Sequence, residues 1–264
     1  MPFYNCEKFL DESISSILWQ TFSDFEFIII NDASTDSSDT VVTKYLADPR
    51  IIYIKNQERR GIVYNLNNAF SYVHTDIIAR MDGDDISHLQ RLEKQYIFLQ
   101  ENPEIDIVGS YIDVIDDKWN KIRSTISKPT CVVDVKKYLL KFLTIFHGSS
   151  MIRRKIYDSI GYYREEWLYC EDYDWTFRAI YGGFSGTNLS ESLYYYRYHG
   201  ASTNTHSHEI ALRVYKLKKV MKREFQIHYT VSNYIFLYIQ FCINYFLPGR
   251  KVQWIESIYK KYFF

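Results

Sequence analysis

With 264 residues the chain has room for one large domain, or for one domain with an appendage. Lysine and arginine number 32 and aspartate and glutamate 32, so the net charge is zero and no overall field draws the chain to nucleic acid. The four cysteines, Cys6, Cys131, Cys170 and Cys242, show neither paired nor zinc spacing, which argues against a disulfide scaffold and for a reducing compartment.

The chain opens in a loop, Met1-Pro2-Phe3-Tyr4-Asn5, with no secretory-leader pattern. Leu10, Ile14, Ile17 and Leu18 then share one helical face, with Asn5 as the expected cap. Residues 25–30 (FEFIII) are continuously apolar, as expected of a strand covered on both faces, and run into the acceptor-rich turn Asn31-Asp32-Ala33-Ser34-Thr35-Asp36. Val41, Val42, Tyr45 and Leu46 give a short helix and residues 51–54 another strand. After the loop at Gln57–Gly61, Ile62, Leu66, Ala69, Phe70 and Val73 recur at helical spacing.

Residues 77–81 form the third strand and stop abruptly at three carboxylates, Asp82, Asp84 and Asp85. An Asp-x-Asp at such a point puts two hard oxygen ligands on one loop, suited to Mg²⁺ or Mn²⁺ with positions left open for phosphate oxygens. The carboxyl edge of an open α/β sheet is also where ligands bind. An acidic turn is the plain alternative, since Asp and Gly are ordinary turn residues.

Strands alternating with helices imply βαβ units and a mainly parallel sheet. Leu89, Leu92, Tyr96 and Leu99 mark the next helix, which stops before Pro103. Residues 105–108 and 111–115 read as two strands, so a mixed sheet edge is expected there. Val135, Tyr138, Leu139 and Phe142 support a helix leading into Phe146-His147-Gly148-Ser149-Ser150-Met151. A further helix opens at Tyr169-Cys170-Glu171-Asp172 and closes at Gly182-Gly183, with Asp174 read as a carboxylate that complements its amino end. Residues 193–198 are a strand running into His199.

Four polar clusters thus stand at the ends of apolar elements: Asp32; Asp82, Asp84 and Asp85; Glu171 and Asp172; and His199. In this order, the pieces PFYN (2–5), SILWQTF (16–22), FIIINDASTD (27–36), RRGIVYNLNNA (59–69), RMDGDD (80–85), FHGSSMIRR (146–154), YCEDYDWTFR (169–178) and YYRYHGAS (195–202) resemble the family 2 glycosyltransferases of the GT-A fold. The resemblance covers about residues 1–203.

It implies an α/β fold of the GT-A type, a Rossmann-like mixed, mainly parallel sheet flanked by helices. It also implies an inverting transfer from a nucleotide sugar, with UDP first, to a glycan or lipid-linked acceptor in surface polysaccharide assembly. Pro2, Tyr4, Asp32, Arg60 and Asp82 would bind the nucleotide, with Asp32 accepting the imide N–H of a uracil. Asp84, Asp82 and His199 would hold Mn²⁺ or Mg²⁺. Asp172 would be the general base and Glu171 its support; His147 receives no role. Two rival readings are a sugar-1-phosphate nucleotidyltransferase, whose glycine-rich amino-terminal loop has no match here, and an inactive binding module, which the intact Asp82, Asp84 and Asp172 oppose. Family members carry an apolar strand just before the PFYN piece, so the start is expected to lie upstream, with residues 25–30 otherwise presenting an unpaired edge.

The resemblance stops near 205, giving a catalytic domain over 1–205 and a helical extension over 206–264. Arg213, Lys216, Lys218, Lys219, Lys222 and Arg223 make a basic helix. Residues 229–247 are long enough to cross a bilayer, but Asn233, Gln240 and Asn244 put a polar stripe on one face. That pattern favours an interfacial or packed helix over a spanning one. The expected location is cytoplasmic, with peripheral contact at the inner face of the plasma membrane.

Overall fold

The computed structural model describes residues 1–122, 125–199, 207–228, 234, 237–239 and 241–242. They fall into two compact units. One joins Met1–Leu139 to Leu143–His199, and the other joins Leu140–Phe142 to the described residues after Gly200.

The first unit begins with three parallel strands in the order β1-β2-β3: β1 (Pro2–Phe3), β2 (Phe27–Asn31) and β3 (Ile51–Lys55). Helices α1 (Leu10–Leu18) and α2 (Ser38–Thr43) connect them. Phe27, Ile29 and Ile30 are all buried, which explains why β2 lacks polar alternation. Helix α3 (Ile62–Ala69) packs against β1 and β2. Leu10, Ile14 and Ile17 of α1 join Phe3, Ile29 and Val42 in one apolar cluster.

A second, mixed sheet has the order β4-β7-β6-β8-β5: β4 (Ile77–Ala79), β5 (Ile86–Ser87), β6 (Ile107–Ile115), β7 (Met151–Arg153) and β8 (Gly186–Arg197). Parallel pairing in it is confined to β6 with β8; β4–β7, β6–β7 and β5–β8 are antiparallel. Helix α4 (Arg91–Glu101) packs against β6, β7 and β8, while α5 (Val132–Leu139) lies against β8 and α7 (Glu171–Tyr181). The short α6 (Lys155–Ile160) also packs on α7.

Several expectations shift. The two strands read at 105–108 and 111–115 are one, β6; its register against β8 slips at Ser110, Tyr111 and Ile112, and this irregularity breaks the alternation that marks a single strand. Strand β8 begins seven residues before the apolar run because its polar start, Gly186–Asn188, is paired to Ile107–Gly109. Asn5 does not cap α1, whose preceding residue is Phe9; it adopts a left-handed φ of 51° in the loop after β1. The edge of β2 is partly covered: Pro2 and Phe3 pair with Ile30 and Asn31, and the Met1 ammonium donates to Ile28 O at 2.8 Å. Phe25, Phe27 and Ile28 line a cavity of about 680 Å³ together with Ile77, Ile78 and Ala79.

In the second unit, α8 (Ser207–Glu224) buries Leu217 and Met221. Lys218, read from sequence as part of a basic face, is fully buried and donates from Nζ to Lys141 O at 2.7 Å, so the exposed basic stripe is narrower than expected. Most of 229–247 and all of 250–264 lie outside the described residues. Among those described, no helix is long and apolar enough to cross a membrane.

Candidate active site

Because β1 and β2 are parallel neighbours, their carboxyl ends deliver Tyr4-Asn5 and Asp32–Thr35 side by side. Asn5 and Ala33, with φ of 51° and 58°, turn the two loops toward each other. Asn5 Oδ1 accepts from Thr35 N at 2.8 Å, and Asn5 N donates to Ser34 Oγ at 3.0 Å. The Arg59 guanidinium lies 4.0 Å above the Tyr4 ring, a cation–π stack on one wall.

Asp32 is only 4% exposed, and its carboxylate already accepts from Arg60 N at 2.8 Å, Gly61 N at 2.9 Å and Asn56 Nδ2 at 2.9 Å. Burial pushes its pKa up, yet hydrogen bonds from Asn65, Arg60, Asn56 and Gly61 outweigh that and hold it below the usual carboxylate range. Asp32 thus shapes the Arg59–Gly61 loop. The Arg60 side chain turns outward to Glu58, at 2.9 Å.

The loop after β4 carries the three aspartates in different environments. Gly83 is needed there, since a Cβ on it would sit 2.7 Å from Phe3 Cβ. Asp82 Oδ1 is paired with Arg80 Nη2 at 2.6 Å. Burial acts to raise the Asp82 pKa, but the Arg80 charge keeps it below the ordinary value. Asp84 Oδ2 lies 2.9 Å from His199 Nε2, and both side chains reach solvent. Asp85 is buried and accepts from Tyr194 OH at 2.8 Å and Arg197 N at 2.7 Å. Burial first, then repulsion from Asp84 and Asp82, pushes its pKa well up.

Among the described residues no three His, Cys, Asp or Glu side chains converge as a metal cluster. The Asp84–His199 pair is nonetheless a chemically suitable donor set for Mn²⁺ or Mg²⁺, which bind through one or two protein groups and complete their shell with phosphate and water. Asp82 is committed to Arg80 through one oxygen.

Glu171 and Asp172 open α7. Tyr169, just before them, has a left-handed φ of 71°, a conformation costly for a bulky side chain and found where the surroundings impose it. Burial, then the Asp172 charge, pushes Glu171 up to about 7, while burial raises Asp172 to about 6 even though Asp172 Oδ1 accepts from Tyr173 N at 2.7 Å. Glu171 Oε2 is buried without a hydrogen-bond partner. The helix end favours ionised carboxylates, but here desolvation outweighs it.

Asp174 is not the capping carboxylate expected. It is fully buried and accepts from Arg164 Nε at 3.1 Å and Arg178 Nε at 3.0 Å. Arg178 in turn donates to Ile160 O and Tyr162 O, both at 2.7 Å, fixing the segment before α7. A buried chain also links His147 Nε2 to Tyr163 OH at 2.7 Å and Tyr163 OH to Tyr157 OH at 2.7 Å.

Residues missed from the sequence are thus Arg80, Arg59, Tyr163 and the Asp174–arginine hub. For Arg80 the signal was a cation two positions before Asp82 at the end of an apolar strand. For Asp174 it was Arg178 four residues on, one helical turn away.

Residues 1–161 match glycosyl transferase family 2. The chain belongs to this family. It is 30% identical over 249 residues to the O-antigen biosynthesis glycosyltransferase WbnJ of Escherichia coli, covering 92% of this chain and 93% of that one. S. aureus TarS (1–349) in complex with UDP-GlcNAc superposes with a TM-score of 0.72 at 19% identity, over 97% of this glycosyltransferase and 76% of that 1–349 chain. The mannosyltransferase PcManGT from Pyrobaculum calidifontis, in complex with GDP-Man and Mn²⁺, gives 0.64 at 14% identity, over 98% and 72%. The glycosyltransferase therefore has the GT-A fold, with the parallel sheet, the mixed sheet and the flanking helices described above.

Proposed function

We propose that this glycosyltransferase moves a sugar from a UDP-sugar donor to a hydroxyl of a glycan or lipid-linked glycan acceptor, with inversion, in surface polysaccharide assembly. The observation that carries the reading is a split among half-buried carboxylates. Asp82 is held low by Arg80, whereas burial raises Glu171 and Asp172 to about 7 and about 6. Acidic groups pushed apart in this way suit different tasks in one site. Asp172, poised near neutrality, is the general base; it takes the acceptor hydroxyl's proton as that oxygen attacks the anomeric carbon and the diphosphate leaves. Glu171 supports it. Tyr4 and Arg59, on the loops Asp32 organises, would flank the base, with Pro2 and Arg60 at the edge of the same pocket. Asp84 and His199 would hold Mn²⁺ or Mg²⁺, which when bound neutralises charge on the departing diphosphate. The O-antigen relative and the UDP-GlcNAc and Mn²⁺ complexes of similar folds support the donor, metal and setting.

The test is nucleoside diphosphate release from UDP-GlcNAc, UDP-glucose and GDP-mannose with Mn²⁺. Release from a UDP-sugar that chelation abolishes supports the reading; no release from any donor, with or without an oligosaccharide acceptor, refutes it. For residues 206–264 the reading is peripheral contact with the cytoplasmic face of an anionic membrane. Liposome co-sedimentation of the whole chain against a 1–205 truncation tests it, and equal partitioning at low salt would exclude it.

A further inference from the structure

Strands β6 and β8 are parallel neighbours, so the turn after Ile115 and the end of β8 leading to His199 share one edge; Tyr198 N donates to Ile115 O at 2.9 Å. That turn is a tight hairpin. Asp116 N donates to Asn120 O at 2.9 Å, Ile115 bridges to Lys121, and Asp116 Oδ1 accepts from Lys118 N at 2.8 Å and Asn120 N at 2.9 Å. At its corner Trp119 has a left-handed φ of 67°. Hairpins of this kind favour glycine or asparagine at such a corner, where a bulky side chain is crowded. A tryptophan there costs stability, and at 48% exposure it recovers little of that by burial.

The indole is nevertheless fixed. Its Nε1 donates to Glu12 Oε1 at 3.2 Å, and the other oxygen of Glu12 holds the Arg197 guanidinium. Arg197 is buried and lies 5.7 Å from the centre of the Trp119 ring and 4.6 Å from that of Phe9, whose ring is 4.8 Å from His199. Arg197 Nε also donates to Asp84 O at 2.9 Å. Arg197 and Phe9 thus tie an exposed, rigid indole to both members of the Asp84–His199 pair. The residues flanking the indole, Asp117, Lys118, Asn120 and Lys121, are exposed and polar. A protein or membrane contact needs a contiguous apolar patch. A pyranose needs a π face for its C–H bonds, with donors and acceptors nearby for its hydroxyls. We propose that Trp119 is a sugar-binding platform at the rim of the active site, stacking a ring of the acceptor glycan beside Asp84 and His199. That the acceptor is a glycan rests on the glycosyl-transfer reading above.

The experiment is a titration of the whole chain, labelled with nitrogen-15 at the tryptophan indoles, read by NMR. The probes are neutral tetrasaccharides of β-linked glucose, α-linked glucose and β-linked N-acetylglucosamine. The Trp119 signal is assigned by its loss in Trp119→Asn, which suits the left-handed corner, or in Trp119→Phe should that variant not fold. Trp19, exposed at the carboxyl end of α1, is the internal control. The Trp119 signal should shift saturably with at least one probe while Trp19 stays still. The readout needs no sugar transfer, so failure of the donor assay and failure of this proposal are separable. A Trp119 signal that moves with none of the probes, or no more than Trp19, overturns the proposal. So does one that moves only with protein concentration, which would mark a protein contact. Where transfer to a probe is measurable, its KM should rise about 3–10-fold in Trp119→Asn with a smaller change in kcat. An unchanged KM would leave Trp119 as packing for Arg197.

Discussion

Replacing Asp172 with asparagine separates the two roles open to a carboxylate at the start of a helix. As general base it must be ionised, and with a pKa of about 6 it is about nine-tenths ionised at pH 7 and about one-tenth at pH 5. Turnover should therefore rise with pH through about 6 in the parent. Asp172→Asn keeps the shape and an acceptor for Tyr173 N but cannot take a proton. The loss should be about 10²–10⁴-fold, or roughly 3–5 kcal/mol in the barrier, with donor binding little changed. Stability should move the other way. Since the folded value lies above the ordinary 3.8, Asp172 helps folding fully below pH 3.8, and that contribution is lost as the pH rises through about 6. At pH 8 its burial is a cost of up to about 3 kcal/mol, shared with Glu171, so the variant should melt higher than the parent at pH 8 and alike at pH 3. Steady-state transfer from pH 5 to 8 and melting at the two pH extremes measure both. If Asp172→Asn folds and transfers sugar at near the parent rate, Asp172 only serves the helix end, where Asn does as well, and the reasoning fails.

Three further outcomes follow from the geometry. Asp174→Ala strands the buried Arg178 beside Arg164, so denaturant unfolding should show a loss of about 3–5 kcal/mol; a loss under about 1 would mean the hub is dispensable. Asp84→Asn should weaken Mn²⁺-dependent UDP binding by more than about 10-fold, and Asp85→Asn, whose side chain is spent on Tyr194 and Arg197, by less; calorimetry showing the reverse order would reassign the metal loop. Gly83→Ala pushes a methyl to 2.7 Å from Phe3 Cβ and should cost about 1–3 kcal/mol, read as a lowered melting temperature; an unchanged one would show that β1 can move aside.

What the sequence determined by itself was local chemistry in order: apolar runs ending in Asp32, in Asp82–Asp85, before Glu171 and Asp172, and at His199. Continuous apolarity marks a strand covered on both faces, and the motif pieces are long enough to carry family and fold. It did not determine which charges meet. Asp84 and His199 are 115 positions apart, and Asp85 finds Tyr194 across 109; the pairing of β5 with β8 sets these contacts. Asp174 looked like a capping acid because Arg178, one turn on, does not by itself show that the carboxylate is fully buried or that Arg164 joins it. Arg80 looked like the flank of a motif, and only its burial, with one arm on Asp82, makes it the charge that holds that carboxylate low. Hydrophobic pattern is local and survives in one dimension, whereas the partner of a buried charge is chosen by strand order and by the exclusion of water, which the folded chain alone supplies.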